Sequence, residues 1–372
     1  MKSRKEALGT VERVVIKVGT SSITRSSPEK SAEFMEEIAD QVKTIKDRGI
    51  EVLIVSSGAI GLGIRTLGIE PHPSDVPMRQ AAASIGQSAL MHGWNTAFEK
   101  RGLIGAQILL TMDSYSVRET ANNLGNTVET LLSLGAVPVF NENDAVCTKE
   151  IDAVFGDNDT LSAVIASNTD SDLLIILSDV DGLYTKNPKL YEDAELVSCV
   201  SDIDEVEHMA GDPTTNLGVG GMKTKLSAAR ICADAGCNMV IASGFLGNSI
   251  VDVVNGEDIG TLFVPGPAIP KKRRWLKSVE PHGKIYVDDG AAKALKRHHS
   301  LLPVGITEIS GGFSQGDPVD VMHGDENIAR GISNYDSDDL ITIMGKRKPE
   351  ADRILGRDRP IDVIHTENMV LL

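Results

Sequence analysis

Residues 137–163, VPVFNENDAVCTKEIDAVFGDNDTLSA, contain the structural unit from which most of this chain is built. The short apolar run 137–140 predicts a buried strand, and it ends abruptly in the polar residues 141–144. A second polar group, 156–159, precedes residues 160–167, whose pattern predicts a helix. A strand, a polar connection and a helix in this order are typical of α/β proteins.

The same unit recurs through the first 245 residues. Further apolar runs that predict strands lie at 14–18, 52–55, 104–110, 173–177 and 239–242. Helical spacing is found at 31–48, 121–134 and 226–235. Near-continuous apolar strands that alternate with helices predict an α/β fold, a mostly parallel sheet sandwiched by helices.

Composition changes near residue 265, where three prolines flank a short linker that precedes the basic run KKRRW at 271–275. Beyond it, short stretches such as KIYVDDG and GITEIS are separated by Gly and Pro, which predicts a small, mainly β domain. A chain of 372 residues also exceeds the usual size of a single core. We therefore expect two domains, residues 1–268 and residues 272–372, the second including a C-terminal tail.

Charge and cysteine usage restrict the class of protein. The formal net charge of −16 argues against a chain that mainly binds nucleic acid or membrane surfaces. The four cysteines show neither CxxC spacing nor histidine partners at zinc spacing, which is typical of reduced thiols in a cytosolic protein. No apolar run approaches the ~20 residues needed to span a bilayer, and the N-terminus lacks the apolar segment of a secretory signal. We expect a cytoplasmic protein.

The acidic stretch from Asn141 to Asp159 needs nearby positive charge to balance its carboxylates. It contains six carboxylates and one lysine. Carboxylates held together repel one another and lose hydration, so positive charge must compensate them. That charge could come from a metal ion, from ammonium groups of a ligand, or from lysines elsewhere in the chain.

Polar residues follow four of the predicted strands, at the edge of a parallel sheet where ligands bind. They are Gly19-Thr20-Ser21-Ser22, Ser56-Ser57-Gly58, Asn141–Asp144 and Ser178-Asp179. Each alone is explained by turn or capping chemistry, and Asp157–Asp159 could simply cap the next helix. Lys17 is different, because a lysine inside an apolar strand must extend its ammonium group to the strand end.

A second lysine cluster, GVGGMKTK at 218–225, precedes a predicted helix. Glycines allow backbone N–H groups to approach a phosphate, and a helix N-terminus favours negative charge. Lys225 in the first turn needs an anionic partner, unless it is an exposed surface lysine. No GxxxxGK[ST] motif occurs, and Gly61-Leu62-Gly63 fails as a dinucleotide fingerprint because Thr66 stands where the third glycine belongs.

Taken together, the segments VVIKVGTSS, IVSSGAIGLG, RQAAASIGQSALM, NENDAV, GDNDTLSA, SDVDGLYT and GGMKTKLSAA resemble the amino acid kinase family, in the family's order. The tail from KKRRWLKS to NYDSDDL resembles a PUA domain. The combination of NENDAV with GDND is the most specific element. The resemblance spans nearly the whole chain.

The resemblance implies phosphoryl transfer from ATP to the side-chain carboxylate of L-glutamate, the first step toward proline. It implies Mg²⁺ that enters with ATP and no permanent metal site of the protein. It also implies a homo-oligomer, a dimer or tetramer, and hand-off of the product to a glutamyl phosphate reductase. We expect neither membrane nor nucleic acid as a partner.

The resemblance also assigns roles to residues. Lys17, Lys225 and Asp159 would be catalytic, with Asp159 organising the two lysines. Glutamate would be bound by Ser57, Asp144 and Asn158. Asp144 would pair with the ammonium group of glutamate, and the other two would donate hydrogen bonds to the carboxylates of glutamate. The nucleotide would be held by a larger set that comprises Lys17, Ser178, Asp179, Val219, Gly220, Gly221, Met222, Lys223, Thr224 and Lys225. Val219 departs from the family, which often has Thr there, so a side-chain contact at this position is in doubt.

Two alternatives remain open on sequence alone. The chain could be another phosphotransferase of the same family that acts on a different carboxylate or on a phosphate. It could also bind RNA through the PUA-like domain, where Lys293, Lys296, Arg297 and His298 add to the basic run. Aromatic residues for base stacking are scarce in that domain, which favours a regulatory or oligomer-stabilising role.

Overall fold

A computed structural model describes residues 3–69, 75–146, 158–188, 190–210, 221–245, 247–356 and 360–372. The chain packs as two compact units. The first comprises Met1–Thr111 and Asn122–Ile269, and the second comprises Met112–Ala121 and Pro270–Leu372. Met112–Ala121 thus lies between elements of the first unit in sequence but packs with the second.

The first unit is built on an eight-stranded sheet formed by its described residues. In chain order the strands are β1 Arg13–Val18, β2 Glu51–Ser56, β3 Gly105–Leu110, β4 Val137–Glu142, β5 Leu173–Ser178, β6 Cys199–Val200, β7 Asn238–Ser243 and β8 Thr261–Phe263. Their order across the sheet is β3-β4-β2-β1-β5-β7-β8-β6. All pairs are parallel except β7 with β8. The predicted mostly parallel α/β sheet is therefore confirmed.

Helices connect the strands and continue into the second unit. They are α1 Arg4–Leu8, α2 Thr20–Ile23, α3 Pro28–Lys46, α4 Ala59–Leu67, α5 Val76–Glu99, α6 Met112–Ser116, α7 Arg118–Ser133, α8 Asn158–Asn168, α9 Met222–Ala235, α10 Ser249–Asn255, α11 Lys271–Ser278, α12 Asp289–Leu295, α13 Ser337–Ile343 and α14 Lys348–Leu355. Short 3₁₀ helices lie at Asp204–Ala210, Pro303–Gly305 and Thr366–Asn368. No helix among the described residues has the length and apolar character needed to cross a bilayer.

Alternation along β1 places the site on one face of the sheet. Val14, Ile16 and Val18 belong to the core that includes the buried residues of α3 and α5. Because successive side chains point to opposite faces, Lys17 lies on the other face, where α8 packs against β1 and α9. The sheet order also reverses around β1, since β2 lies on one side of it and β5 on the other. This reversal is where open α/β sheets bind ligands.

Helices α4 and α5 touch through glycine. A Cβ at Gly63 would lie 1.8 Å from the carbonyl oxygen of Ala82, and a Cβ at Gly86 would lie 1.8 Å from that of Ala59. No side chain fits at either distance. Gly63, one of the two glycines in Gly61-Leu62-Gly63, therefore allows the two helices to pack closely.

The second unit has its own sheet and core. Strands β9 Gly283–Val287, β10 Ile306–Ser310, β11 Pro318–His323, β12 Glu326–Ile332 and β13 Met369–Leu371 lie in the order β10-β9-β11-β12-β13. Trp275 of α11 donates a hydrogen bond from Nε1 to the carbonyl oxygen of Tyr115, 3.2 Å away, which ties Met112–Ala121 into this unit. The predicted small β-rich domain is confirmed.

Candidate active site

A buried carboxylate lies between two buried lysines at the centre of the site. Asp159, in the first turn of α8, is fully buried. Its Oδ1 lies 2.6 Å from Lys17 Nζ, and its Oδ2 lies 2.9 Å from Lys225 Nζ. Lys17 comes from β1 and Lys225 from the first turn of α9. Three charged groups that are far apart in sequence therefore form one ion-pair cluster.

The three groups of this cluster together carry one net positive charge. Burial alone would raise the pKa of Asp159, but the charges and hydrogen bonds of Lys17 and Lys225 outweigh it and hold that pKa well below its usual range. The position of Asp159 at a helix N-terminus further favours its ionised form. Two ammonium groups thus face one ionised carboxylate in a buried place, an arrangement that suits an anionic ligand.

The first turn of α9 closes around Asp159. Thr224 Oγ1 lies 3.2 Å from Asp159 Oδ2 and 2.7 Å from the carbonyl oxygen of Gly221, the N-cap of the helix. Lys225 is only 5% exposed, so the alternative of an exposed surface lysine is wrong. Met222 begins the helix and is partly buried, while Lys223 is exposed.

A chain of polar side chains runs from Ser57 to α5. Asn158 Nδ2 donates to Ser57 Oγ at 2.5 Å and to Asn141 Oδ1 at 3.1 Å. Asn141 Nδ2 in turn donates to Gln87 Oε1 at 2.9 Å. Ser57 is placed beside β1 because its backbone N–H donates to the carbonyl oxygen of Val18. Two of the predicted glutamate-binding residues, Ser57 and Asn158, are therefore in direct contact.

The remaining predicted residues lie at the same edge of the sheet or outside the described residues. Asp144 is partly buried in the turn after β4. Ser178 ends β5, and its Oγ donates to Asp179 Oδ1 at 3.2 Å. Val219 and Gly220 lie outside the described residues, as does the acidic stretch 147–157.

Two residues of the site are not predicted by the sequence. Asn141 belongs to the polar group that ends β4, but its pattern assigns it no role of its own. Gln87 lies inside the segment RQAAASIGQSALM, which looks like an ordinary helix, and only its partner Asn141 identifies it as part of the site. Within the parts of the chain that the structure describes, no group of three or more His, Cys, Asp or Glu side chains is arranged to hold a metal ion.

Comparison with known proteins identifies the two parts of the chain. The amino acid kinase family matches residues 12–243, and the PUA domain matches residues 283–355.

Several relatives match along the whole chain. The glutamate 5-kinase of Methanosarcina acetivorans is 48% identical and the alignment covers 100% of this chain and 99% of that protein. The glutamate 5-kinase of Methanococcoides burtonii is 45% identical, with both chains fully covered. The glutamate 5-kinase of a Thermoanaerobacter species is 41% identical over 97% of this chain and 98% of that protein.

Among solved structures, a carbamate kinase from Giardia lamblia bound to AMP-PNP superposes with a TM-score of 0.51 at 18% identity. The superposition covers 70% of this chain and 100% of the carbamate kinase chain. This likeness concerns the fold alone.

Proposed function

The chain belongs to the amino acid kinase family, and on this premise we propose that it transfers the γ-phosphoryl group of ATP to the side-chain carboxylate of L-glutamate. The product is L-glutamyl 5-phosphate, the first intermediate on the route to proline. The observation that carries the proposal is the buried cluster of Lys17, Asp159 and Lys225, in which one carboxylate holds two ammonium groups. Similarity to glutamate 5-kinases along the full chain supports glutamate as the acceptor.

The chemistry needs positive charge more than it needs proton transfer. A glutamate carboxylate oxygen forms a bond to the γ-phosphorus while the bond from that phosphorus to the β–γ bridging oxygen breaks, and ADP leaves. Negative charge on the transferring group is best stabilised by cations fixed in advance. Lys17 and Lys225 supply two, and Asp159 holds both in place. A carboxylate nucleophile is already ionised at pH 7, so no general base is required.

The proposal extends to the binding roles. We assign the glutamate ammonium group to Asp144 and a glutamate carboxylate to the hydroxyl group of Ser57, with Asn158 beside them. The nucleotide lies along Ser178-Asp179 and the segment 219–225. Mg²⁺ arrives with ATP as part of the substrate, where it offsets phosphate charge.

Wider expectations belong to the same proposal. Residues 1–268, apart from Met112–Ala121, form the catalytic domain, and residues 272–372 form the PUA-like domain with its tail. The protein works as a homo-oligomer in the cytoplasm. Its acyl phosphate product is reactive, which favours hand-off to a glutamyl phosphate reductase.

A hydroxylamine trap tests the reaction directly, because an acyl phosphate reacts with hydroxylamine to form a coloured hydroxamate. We expect hydroxamate that depends on both ATP and L-glutamate, and none with aspartate or N-acetylglutamate. ADP release with UMP, measured in parallel, should stay at background. Hydroxamate from another acid but not from glutamate, or ADP release only with UMP, would assign the chain to a different phosphotransferase of the family.

A further inference from the structure

The side-chain amide of Asn158 has an acceptor, and not a donor, left without a partner among the described residues. Both of its Nδ2 hydrogens are used, one toward Ser57 Oγ at 2.5 Å and one toward Asn141 Oδ1 at 3.1 Å. Its Oδ1 is buried and has no hydrogen-bond partner among the described residues. Both donors of Asn158 are thus already used within the chain, so a donor role toward a glutamate carboxylate would require one of these hydrogen bonds to break.

The direction of these hydrogen bonds is set one residue further away. Asn141, only 2% exposed, donates from Nδ2 to Gln87 Oε1 at 2.9 Å and accepts from Asn158 at Oδ1. Turning the Asn141 amide by half a rotation would place its N–H against the N–H of Asn158 and its oxygen against the oxygen of Gln87. While Gln87 presents Oε1 and not its NH2 group, it holds Asn141 in the observed orientation, and Asn141 holds Asn158.

We propose that Gln87 is a positioning residue that sets the direction of this chain, so that Asn158 Oδ1 accepts a hydrogen bond from the ammonium group of the amino-acid substrate. The proposal rests on the proposed function only in taking that substrate to be glutamate. A buried oxygen without a partner is costly, and a ligand ammonium group removes that cost. Ser57 Oγ already accepts from Asn158, so its own proton can be donated to a carboxylate oxygen of the ligand.

The arrangement predicts discrimination by the ammonium group. Glutarate has both carboxylates of glutamate but no ammonium group, so it would leave Asn158 Oδ1 buried without a donor. Sites built around a hydrogen bond reject ligands that lack it. We expect the inhibition constant of glutarate to exceed the KM of glutamate by at least about tenfold.

Two substitutions of Gln87 separate its effect on the direction of the hydrogen bonds from its effect on packing. Gln87→Met keeps the length of the side chain but removes the acceptor, and we expect the KM for glutamate to rise about tenfold while kcat stays within about threefold. Gln87→Glu provides oxygens that only accept, which preserves the direction of the chain, so KM should stay within about threefold of the unsubstituted protein.

The ratio of the glutarate inhibition constant to the glutamate KM is the readout that a purely structural role would not move. In Gln87→Met we expect this ratio to fall about tenfold, because only the ligand with an ammonium group uses Asn158 Oδ1. General loosening of the site would weaken both ligands equally and leave the ratio unchanged. If Gln87→Met fails to fold, Gln87→Lys replaces the acceptor by a donor and should lower the ratio in the same way.

The outcomes also separate this inference from the proposed function. Absence of glutamate-dependent hydroxamate with the unsubstituted protein overturns the proposed function. Normal hydroxamate formation with an unchanged ratio in Gln87→Met, or with Gln87→Glu behaving like Gln87→Met, overturns the role of Gln87 alone.

Discussion

At the scale of single residues, the two buried lysines should control the rate and not the affinity for glutamate. We predict that Lys17→Ala and Lys225→Ala each lower kcat by about 100-fold or more, because each removes a cation fixed beside the transferring phosphoryl group. The KM for glutamate should change less than about threefold. Steady-state kinetics with the hydroxamate assay measures both, and Lys30→Ala, an exposed lysine on α3, is the matched control. A mainly raised glutamate KM in the lysine variants would contradict this assignment.

Asp159 ties the stability of the protein to pH in a defined direction. Its pKa in the folded protein lies below the usual 3.8, so the stability it contributes is complete above about pH 4 and is lost as the pH falls through the pKa of the folded protein. We predict that Asp159→Asn costs about 3 kcal/mol or more in the free energy of unfolding, since it leaves two buried lysines without their carboxylate. Urea unfolding should show the same cost at pH 7 and pH 5.

The surface pair of Lys43 and Asp47 provides the comparison for that measurement. These side chains are 40% and 61% exposed, and their charged atoms lie 2.5 Å apart. Asp47→Asn should cost less than about 1 kcal/mol, because water screens an exposed pair. An Asp159→Asn cost as small as that of Asp47→Asn would contradict the dependence of the two buried lysines on this carboxylate.

Sequence reasoning finds the charged residues of the site more readily than the neutral ones. Lys17 is identifiable because an ammonium group in an apolar strand has few places to go, whereas only the resemblance to the amino acid kinase family singles out Asp159 among the six carboxylates of its stretch. Gln87 carries no charge and lies in a helix of ordinary composition, so nothing local marks it. Its role depends on a partner 54 positions away, and only the folded chain shows such a pairing.

At the scale of elements, the contact between α4 and α5 positions Gln87. Gly86 precedes Gln87, and a Cβ there would lie 1.8 Å from the carbonyl oxygen of Ala59. We predict that Gly86→Ala forces the helices apart, lowers the free energy of unfolding by about 1–3 kcal/mol and raises the KM for glutamate. Thermal unfolding and kinetics measure the two effects.

Gly93→Ala is the matched control on the same helix. A Cβ at Gly93 would meet Met35 Sδ at 2.6 Å, which is part of a flexible side chain and can move. We expect a smaller loss of stability and an unchanged KM. Equal effects of the two substitutions would show that the separation of α4 and α5 does not control the position of Gln87.

Long, uniformly apolar strands are predictable from the sequence, whereas short edge strands are not. β1, β2, β5 and β7 are buried on both faces and therefore appear in the sequence as apolar runs. β6 has two residues and β8 has three, too few to show a period. The antiparallel pairing of β8 with β7 depends on contacts between distant parts of the sequence, so the residues of β8 alone do not predict it.

At the scale of the whole molecule, the change in composition near residue 265 predicts where the C-terminal part of the second unit begins. It does not predict the other part of that unit, Met112–Ala121. Met112–Ala121 belongs to the second unit, although in sequence it lies between the two parts of the first unit, Met1–Thr111 and Asn122–Ile269. No Pro or Gly cluster or charge run separates it from its neighbours. Its membership depends on tertiary contacts, such as the hydrogen bond from Trp275 to Tyr115, and local sequence rules do not reach these.

This membership makes the stability of residues 1–269 depend on the C-terminal segment 270–372. We predict that deletion of residues 270–372 lowers the Tm of the remaining chain by at least about 4 °C relative to the first transition of the full chain. Tyr115, which is 2% exposed, would lose its packing partners, and exposing one large side chain costs about 1.5–3 kcal/mol. Trp275→Phe in the full chain removes the hydrogen bond to Tyr115 together with part of a buried ring, and should cost about 1–3 kcal/mol. Differential scanning calorimetry of the three proteins decides the matter, because an unchanged Tm after the deletion would mean that Met112–Ala121 owes its stability to the first unit.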